Sequence, residues 1–369
     1  MALTKSEVLA SLERVASPDG NALPATGALS DIVVSDGKVF FSITVDAAAV
    51  DAWEPVRRQA EAAVKAVPGV NSVMVAMTAE RARPRPGATS PAAAAAAQRA
   101  HGAVGVPGVG AIIAVASGKG GVGKSTVAVN LALGLRDLGL QVGVLDADIY
   151  GPSTPRLFAI KGKPQIKGGT RLIPMDGYGL KVMSIGFLVE EETPMIWRGP
   201  MVMSALTQMM RDVEWGELDV MLVDMPPGTG DAQLTMAQAV PLRGAVIVST
   251  PQDLALIDAR RGVAMFHKVN VPVLGIVENM SYFLCPNCGT RSDIFGHGGA
   301  RREAERMGVP FLGEVPLHMD IRERSDAGLP VVATMPDGPH AGIYRTIAAQ
   351  VRDQVGAGMN RIAPRIVIE

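Results

Sequence analysis

The chain has 369 residues, enough for about two domains. Hydrophobic residues make up 48% and charged residues 19%, so a sizeable core is available and gross disorder is excluded. Lysine and arginine (35) balance aspartate and glutamate (36), and aromatics reach only 4%, which argues against nucleic acid or an anionic membrane as partner.

The start, MALTKSEVLASLERV, is amphipathic and lacks the apolar run of a secretory signal. No stretch approaches the ~20 apolar residues of a membrane span. Residues 1–82 read as a small α+β domain. Glu7–Val15 and Trp53–Val67 carry helical spacing, and Asp31–Val34, Val39–Val45 and Val70–Met77 read as strands. Asp36-Gly37 between the first two is a hairpin signal. Residues 83–108 break the pattern. Arg83-Pro-Arg-Pro-Gly87 and the alanine run Ala92–Ala97 read as a flexible linker.

Residues 109–369 alternate apolar strands with helices and show no internal repeat. Strands are expected at Ile112–Ala116, Gln141–Leu145, Leu180–Phe187, Leu218–Val223, Gly244–Ser249 and Val273–Val277. Helices are expected at Lys124–Leu138, Met201–Arg211, Leu254–Lys268 and Gly299–Met307. Strands apolar throughout indicate an α/β fold with a doubly wound, mostly parallel sheet.

Gly118-Lys119-Gly120-Gly121-Val122-Gly123-Lys124-Ser125 fits the phosphate-loop pattern and lies between a strand and a helix. Its glycines let backbone N–H groups turn around phosphate oxygens, and the helix N-terminus adds partial positive charge. With Thr126 this segment is the expected nucleotide cradle. Lys124 supplies a point charge, and the Ser125 hydroxyl can ligate Mg²⁺. Lys119 is an extra cation at the start of the loop. The loop GKGGVGKST resembles that of the ParA/MinD-like ATPases, which dimerise around sandwiched nucleotides. That resemblance implies that Lys119 reaches the partner's phosphates.

Two acidic positions complete the nucleotide reading. Asp148, with Asp146 as its rival, is the candidate for positioning the attacking water, or alternatively a turn acid. Asp224 ends the apolar run Val220–Val223 and reads as the acid holding Mg²⁺ through water, with the Gly228 amide near the terminal phosphate. No NKxD signature of GTPases is present, so ATP is the expected nucleotide. Asn279 is placed either to contact the base or to cap the loop.

The two cysteines are Cys285 and Cys288, in Cys-Pro-Asn-Cys-Gly. They are too few for a disulfide framework and point to a reducing, cytoplasmic compartment. The pair is open to a redox, zinc or iron–sulfur reading. The turn looks like a metal knuckle. A four-thiolate site requires two chains across a two-fold axis. His297 is the nearby imidazole, a ligand or a loop residue. Met201, Met203, Met209 and Met210 read as core or interface packing, and Arg361–Glu369 as an edge strand or a loose tail.

GKGGVGKST, LDADIYGPS, VDMPPGTGD, VENMSYFLCPNCG and FGHGG together resemble the Mrp/ApbC family of iron–sulfur cluster carrier ATPases. The resemblance covers nearly all of residues 110–355. It implies a homodimer holding a [4Fe–4S] cluster between two Cys285/Cys288 pairs. It also implies cluster donors, apo-protein recipients and slow ATP hydrolysis. Trp197-Arg198-Gly199-Pro200 would then belong to the dimer surface. Residues 1–82 loosely resemble the family's iron–sulfur-assembly-type domain, but Ser17-Pro18-Asp19-Gly20 replaces its acidic-proline start and the segment holds no cysteine. It reads as an interaction module. A zinc-bridged or a partition/positioning-type ATPase is the competing reading.

Overall fold

The computed structural model describes residues 5–30, 32–35, 38–46, 49–70, 72–80, 105–167, 171–188 and 199–359. Asp36-Gly37, the expected linker from 83 to 104, Trp197-Arg198 and Arg361–Glu369 lie outside the described residues. The chain divides into two compact units, Met1–Gln98 and Arg99–Glu369.

In the first unit, α1 (Lys5–Leu12) precedes β1 (Val33–Ser35) and β2 (Lys38–Asp46), an antiparallel pair with Val34 opposite Val39. The helix α2 (Val50–Lys65) then crosses to β3 (Ser72–Glu80), which pairs with β2 in parallel. Val39, Phe41, Ile43 and Val45 are buried, every second residue of β2. Val56, Ala60 and Val64 supply the matching helical stripe at four-residue spacing. One face of the sheet is thereby closed by one helix face.

The second unit is an α/β fold. The strands of its main sheet are β4 (Val109–Ala116), β5 (Val142–Asp146), β6 (Met175–Gly177), β7 (Leu180–Ser184), β8 (Leu218–Asp224), β9 (Leu242–Ser249), β10 (Val273–Leu284), β11 (Arg291–Ser292) and β12 (Phe311–Leu317). They form one sheet in the order β12-β10-β9-β4-β8-β5-β7-β6, with β11 pairing the end of β10. Every pairing is parallel except β6 with β7 and β11 with β10, both at the sheet's margins. Residues 111–116 and 142–146 are buried throughout, as expected of strands covered on both faces.

The helices that matter below are α3 (Lys124–Asp137), α4 (Gly199–Arg211), α5 (Asp231–Ala239), α6 (Asp253–Lys268), α7 (Gly299–Met307), α8 (Met319–Ala327) and α9 (Pro339–Met359). The strand expected over Leu180–Phe187 stops at Ser184, whose hydroxyl accepts from the Gly186 amide and starts a short 3₁₀ turn. β10 outruns its expected end at Val277 by seven residues. Glu278, Asn279 and Ser281 mask its apolar signal, and Met280 adopts a positive φ of 54°. β12, α5, α8 and α9 carry no clear sequence pattern; β12 is interrupted by Gly313, Glu314 and Pro316.

α9 packs on α3 at Gly134, where an added Cβ would lie 2.9 Å from the Ala348 Cβ and 3.2 Å from the Tyr344 carbonyl oxygen. Gly134→Val is therefore expected to overpack this contact. Stability in urea denaturation should fall by about 1–3 kcal/mol.

Candidate functional site

Parallel register sets the site. Asp224 lies opposite Val115 on one side and Asp146 on the other, and Asp146 lies opposite Ser184. Two strand-end acids are thus neighbours on the carboxyl edge of the sheet, where α/β folds hold ligands. The loop Ser117–Gly123 leaves β4 along that same edge and enters α3.

The loop is clamped from three directions. The Ser117 hydroxyl donates to the Lys119 carbonyl at 2.9 Å, the Gly228 amide donates to the Ser117 carbonyl at 3.0 Å, and the Asn279 side-chain amide donates to the Val122 carbonyl at 2.8 Å. Gly121 and Gly123 have φ of 81° and 78°, a region costly for other residues. Gly118 is required for a different reason: a Cβ there would lie 2.3 Å from the Asp258 backbone on α6. Gly120 and Gly121 face open space. The Val127 amide reaches the Gly123 carbonyl, so the amides of Lys124, Ser125 and Thr126 precede the first helical bond. This is a backbone cradle suited to an anion.

Beneath it, Lys124 is 6% exposed and its ammonium pairs with Asp224 Oδ1, with Asp148 Oδ2 at 3.9 Å. It also donates to the Ser125 hydroxyl at 3.3 Å. Asp146 is fully buried and accepts from the Asp148 amide (3.1 Å), the Thr154 amide (3.1 Å) and the Ser184 hydroxyl (3.0 Å). Burial, and then the Asp224 charge, push its carboxyl up to about 7. Burial also raises the Asp148 pKa, opposed by Lys124. Asp224 Oδ2 is buried without a hydrogen-bond partner among the described residues. An orphaned carboxylate oxygen beside Ser125 and an open glycine cradle fits a divalent cation with a polyphosphate. Lys119 is half-buried, and among the described residues it pairs with no carboxylate.

Cys285 and Cys288 occupy the turn between β10 and β11, where Leu284 pairs with Arg291. The Cys285 amide donates to the Thr290 carbonyl at 3.0 Å, the Gly289 amide donates to the Cys285 carbonyl at 2.8 Å, and Gly289 takes φ 69°. Cys285 is half-buried and Cys288 exposed. The Thr290 hydroxyl lies 3.2 Å from Cys288 Sγ; it, the Thr290 amide and Cys285 lower the Cys288 pKa and favour thiolate. Arg291 lies over the Tyr282 ring at 4.2 Å and pairs with Asp293 at 3.0 Å. His297 is exposed, its Nδ1 2.6 Å from the Arg291 guanidinium.

Sequence reasoning missed three supporting residues. Thr154 and Ser184 hold Asp146, and nothing in their local pattern marks them. Glu278 is fully buried and accepts from the Ser281 hydroxyl (2.6 Å) and the Gly298 and Ala300 amides (3.2 and 2.6 Å), so it caps α7. A charged residue inside an apolar strand was its signal. Asn279, next in sequence, reaches the phosphate loop, so β10 ties that loop to the cysteine turn.

The family described as NUBPL iron-transfer P-loop NTPase (ParA) matches residues 108–352. The chain belongs to this family. A second family, described as iron–sulfur cluster assembly protein, matches residues 5–76. The Synechocystis iron–sulfur cluster carrier protein is 43% identical over 359 residues, 96% of this chain and 98% of its own. The Dictyostelium discoideum iron–sulfur cluster transfer protein NUBPL is 56% identical over 239 residues, 64% of this chain and 74% of its own. Among solved structures, a nucleotide-binding protein from Archaeoglobus fulgidus in complex with ADP is 42% identical, with a TM-score of 0.56, over 64% of this chain and 91% of that one. The Pyrococcus furiosus cell division ATPase MinD, at 22% identity and a TM-score of 0.50 over 66% of this chain and 99% of its own, shares the fold. The iron-transfer P-loop NTPase fold thus carries both the phosphate loop and the cysteine turn. Among the described residues no helix is long and apolar enough to cross a membrane.

Asp146 gives a pH test of the nucleotide-free chain. With its carboxyl raised to about 7 from 3.8, the folded state keeps a proton that the unfolded chain has already lost. Stability from this group is therefore complete below about 4 and falls as pH rises to about 7, then levels off. Relative to Asp146→Asn, wild type should lose up to about 1.4 kcal/mol per pH unit across that window in urea denaturation.

Proposed function

We propose that this chain is an ATP-hydrolysing carrier that holds a [4Fe–4S] cluster between two copies and passes it to apo-proteins. The observation that carries this reading is the strand β10, which grips the phosphate loop through Asn279 and ends in the exposed cysteine turn. The names of the relatives support the cargo, and the clamped glycine loop supports the nucleotide.

Gly118–Thr126 would receive the phosphates of ATP on their amides. Lys124 would leave Asp224 for a phosphate oxygen, and Ser125 with Asp224, through water, would hold Mg²⁺. When bound, Mg²⁺ supplies neutralising charge to the phosphate oxygens. Asp148, its carboxyl already biased toward holding a proton, positions the attacking water. Water adds to the terminal phosphorus as the bond to the bridging oxygen breaks, giving ADP and inorganic phosphate. Lys119, which pairs with no carboxylate among the described residues, would reach the partner subunit's phosphates. Asn279 either keeps its bond to Val122 or turns to the base.

The chain has two cysteines, so a cluster that takes about four thiolates needs two copies. Transfer is ligand exchange: acceptor thiolates replace Cys285 and Cys288 without net electron flow. An exposed turn permits such exchange. We place the activity in a reducing, cytoplasmic compartment, where both thiols stay free. Residues 1–82 would serve as an interaction module for donor or recipient proteins, joined by the 83–108 linker to the ATPase domain of residues 109–369.

Anaerobic reconstitution tests the cargo. About four iron and four sulfide per dimer are expected, delivered to an apo-acceptor; stoichiometric zinc without iron rejects the reading. Cys285→Ala or Cys288→Ala should reduce cluster content to background while ATP binding stays within about twofold. Lys124→Ala should lower ATP turnover by roughly 10²-fold or more, with an unchanged circular dichroism spectrum. Unchanged turnover would overturn the loop's role.

A further inference from the structure

The carboxyl end of β12, where Leu317 pairs with Phe283 two residues before Cys285, meets the first turn of α9. His318 caps α8, its Nδ1 accepting from the Asp320 amide at 3.2 Å. His340 is the second residue of α9. The two imidazole rings stack obliquely, centroids 4.3 Å apart. One ligand atom from each of His318, Asp320 and His340 lies within 4.8 Å of the others.

Three features go beyond a chance cluster. His340 is 7% exposed, and its Nδ1 is buried with no hydrogen-bond partner among the described residues. A buried imidazole nitrogen left unpaired costs about 1–3 kcal/mol unless something occupies it. His318 Nδ1 stands 3.7 Å from Asp320 Oδ2, near the ~3.3 Å that separates two ligands of a tetrahedral ion with bonds of about 2.0–2.1 Å. Ligation through His318 Nδ1 would replace the hydrogen bond that this nitrogen accepts from the Asp320 amide, at the upper end of the usual range at 3.2 Å. Burial and the neighbouring His318 lower the His340 pKa, which favours the neutral imidazole, the form that ligates.

We propose that His318, Asp320 and His340 form a binding site for a divalent transition-metal ion. Two imidazoles and one carboxylate select a borderline ion of the Zn²⁺ or Co²⁺ class over Mg²⁺, with a fourth position left for water. The ion joins the start of α8 to the start of α9. Because α9 packs on α3, it acts as a staple on the helix that follows the phosphate loop. In the sheet order, β12 is separated from β4 by two strands, so the site is distinct from the nucleotide cradle.

The thiols would also take up Co²⁺, so the test uses the full chain carrying Cys285→Ser and Cys288→Ser. After chelation and dialysis, Co²⁺ is titrated by calorimetry and visible absorption, with the melting temperature followed in parallel. The expected result is one Co²⁺ per chain and a rise in melting temperature. Adding His340→Gln, or His318→Asn, which keeps a capping acceptor, should weaken Co²⁺ at least about tenfold and abolish the rise. Circular dichroism and nucleotide binding should be unchanged in the His318 variant. No stoichiometric uptake by the cysteine-free chain would overturn the proposal. So would uptake indifferent to both histidine variants, or uptake lost in His297→Gln instead.

Discussion

Lys124 is the group on which the architecture turns. Its ammonium is almost fully withdrawn from water, faces Asp224 directly and stands near Asp148, with Asp146 buried alongside. One cation cannot neutralise three carboxylates in so dry a place. The nucleotide-free chain relieves the excess by favouring the protonated form of Asp146 and by surrounding that carboxyl with three donors. What remains is an orphaned Asp224 oxygen, a place where a further cation lowers the energy. Parallel register brings this about. A one-residue slip of β8 against β5 would turn Asp224 to the opposite face and remove the arrangement.

From that charge cluster outward, the structure offers one short mechanical route to the cysteines. Val122 lies in the phosphate loop, Asn279 grips its carbonyl, and Cys285 follows six residues later along the same chain segment. Between them, Met280 holds a left-handed backbone unusual for its type, and the pairing of β10 with β12 is irregular between Asn279 and Phe283. Strain of that kind costs of order 1–3 kcal/mol and concentrates where a segment has two arrangements to choose between. Glu278, on the other side of Asn279, anchors the strand to the start of α7. On the thiol side the strand is paired again, Phe283 with Leu317 and Ser292 and Leu284 with Arg291, so the irregular stretch lies between two anchored ends.

Much of this was legible from the sequence, for physical reasons that differ by element. Buried parallel strands announce themselves by unbroken apolar runs, as in Ile112–Ala116. Glycines in a phosphate loop are dictated by backbone angles, so the loop's position and its helix could be read directly. β10 could not be followed past Val277, because its later residues are chosen for contacts: Glu278 for amides, Asn279 for a carbonyl, Ser281 for Glu278. β12 escaped for the same reason, with Glu314 beside Arg301 and a proline near its end. Ser184, whose hydroxyl donates to one buried carboxylate, and Thr154, which donates to it through its backbone amide, were invisible in the sequence. Only three-dimensional proximity reveals that. His318 and His340 lie 22 residues apart at the starts of different helices, so no spacing rule could join them.

The magnitudes fit the proposed coupling of nucleotide to cargo. A tenfold change in affinity at one site requires about 1.4 kcal/mol of difference between two states. One hydrogen bond of the Asn279–Val122 kind is worth about 0.5–1.5 kcal/mol net, and one strained residue about 1–3 kcal/mol. Making or breaking that single contact together with relief at Met280 therefore suffices; no wholesale rearrangement of the sheet is needed. Linkage then makes the effect mutual. Whatever factor the nucleotide imposes on cluster affinity, the cluster imposes on nucleotide affinity. A carrier built this way can retain its cargo in one nucleotide state and loosen it in the other, with the thiols remaining at the surface throughout.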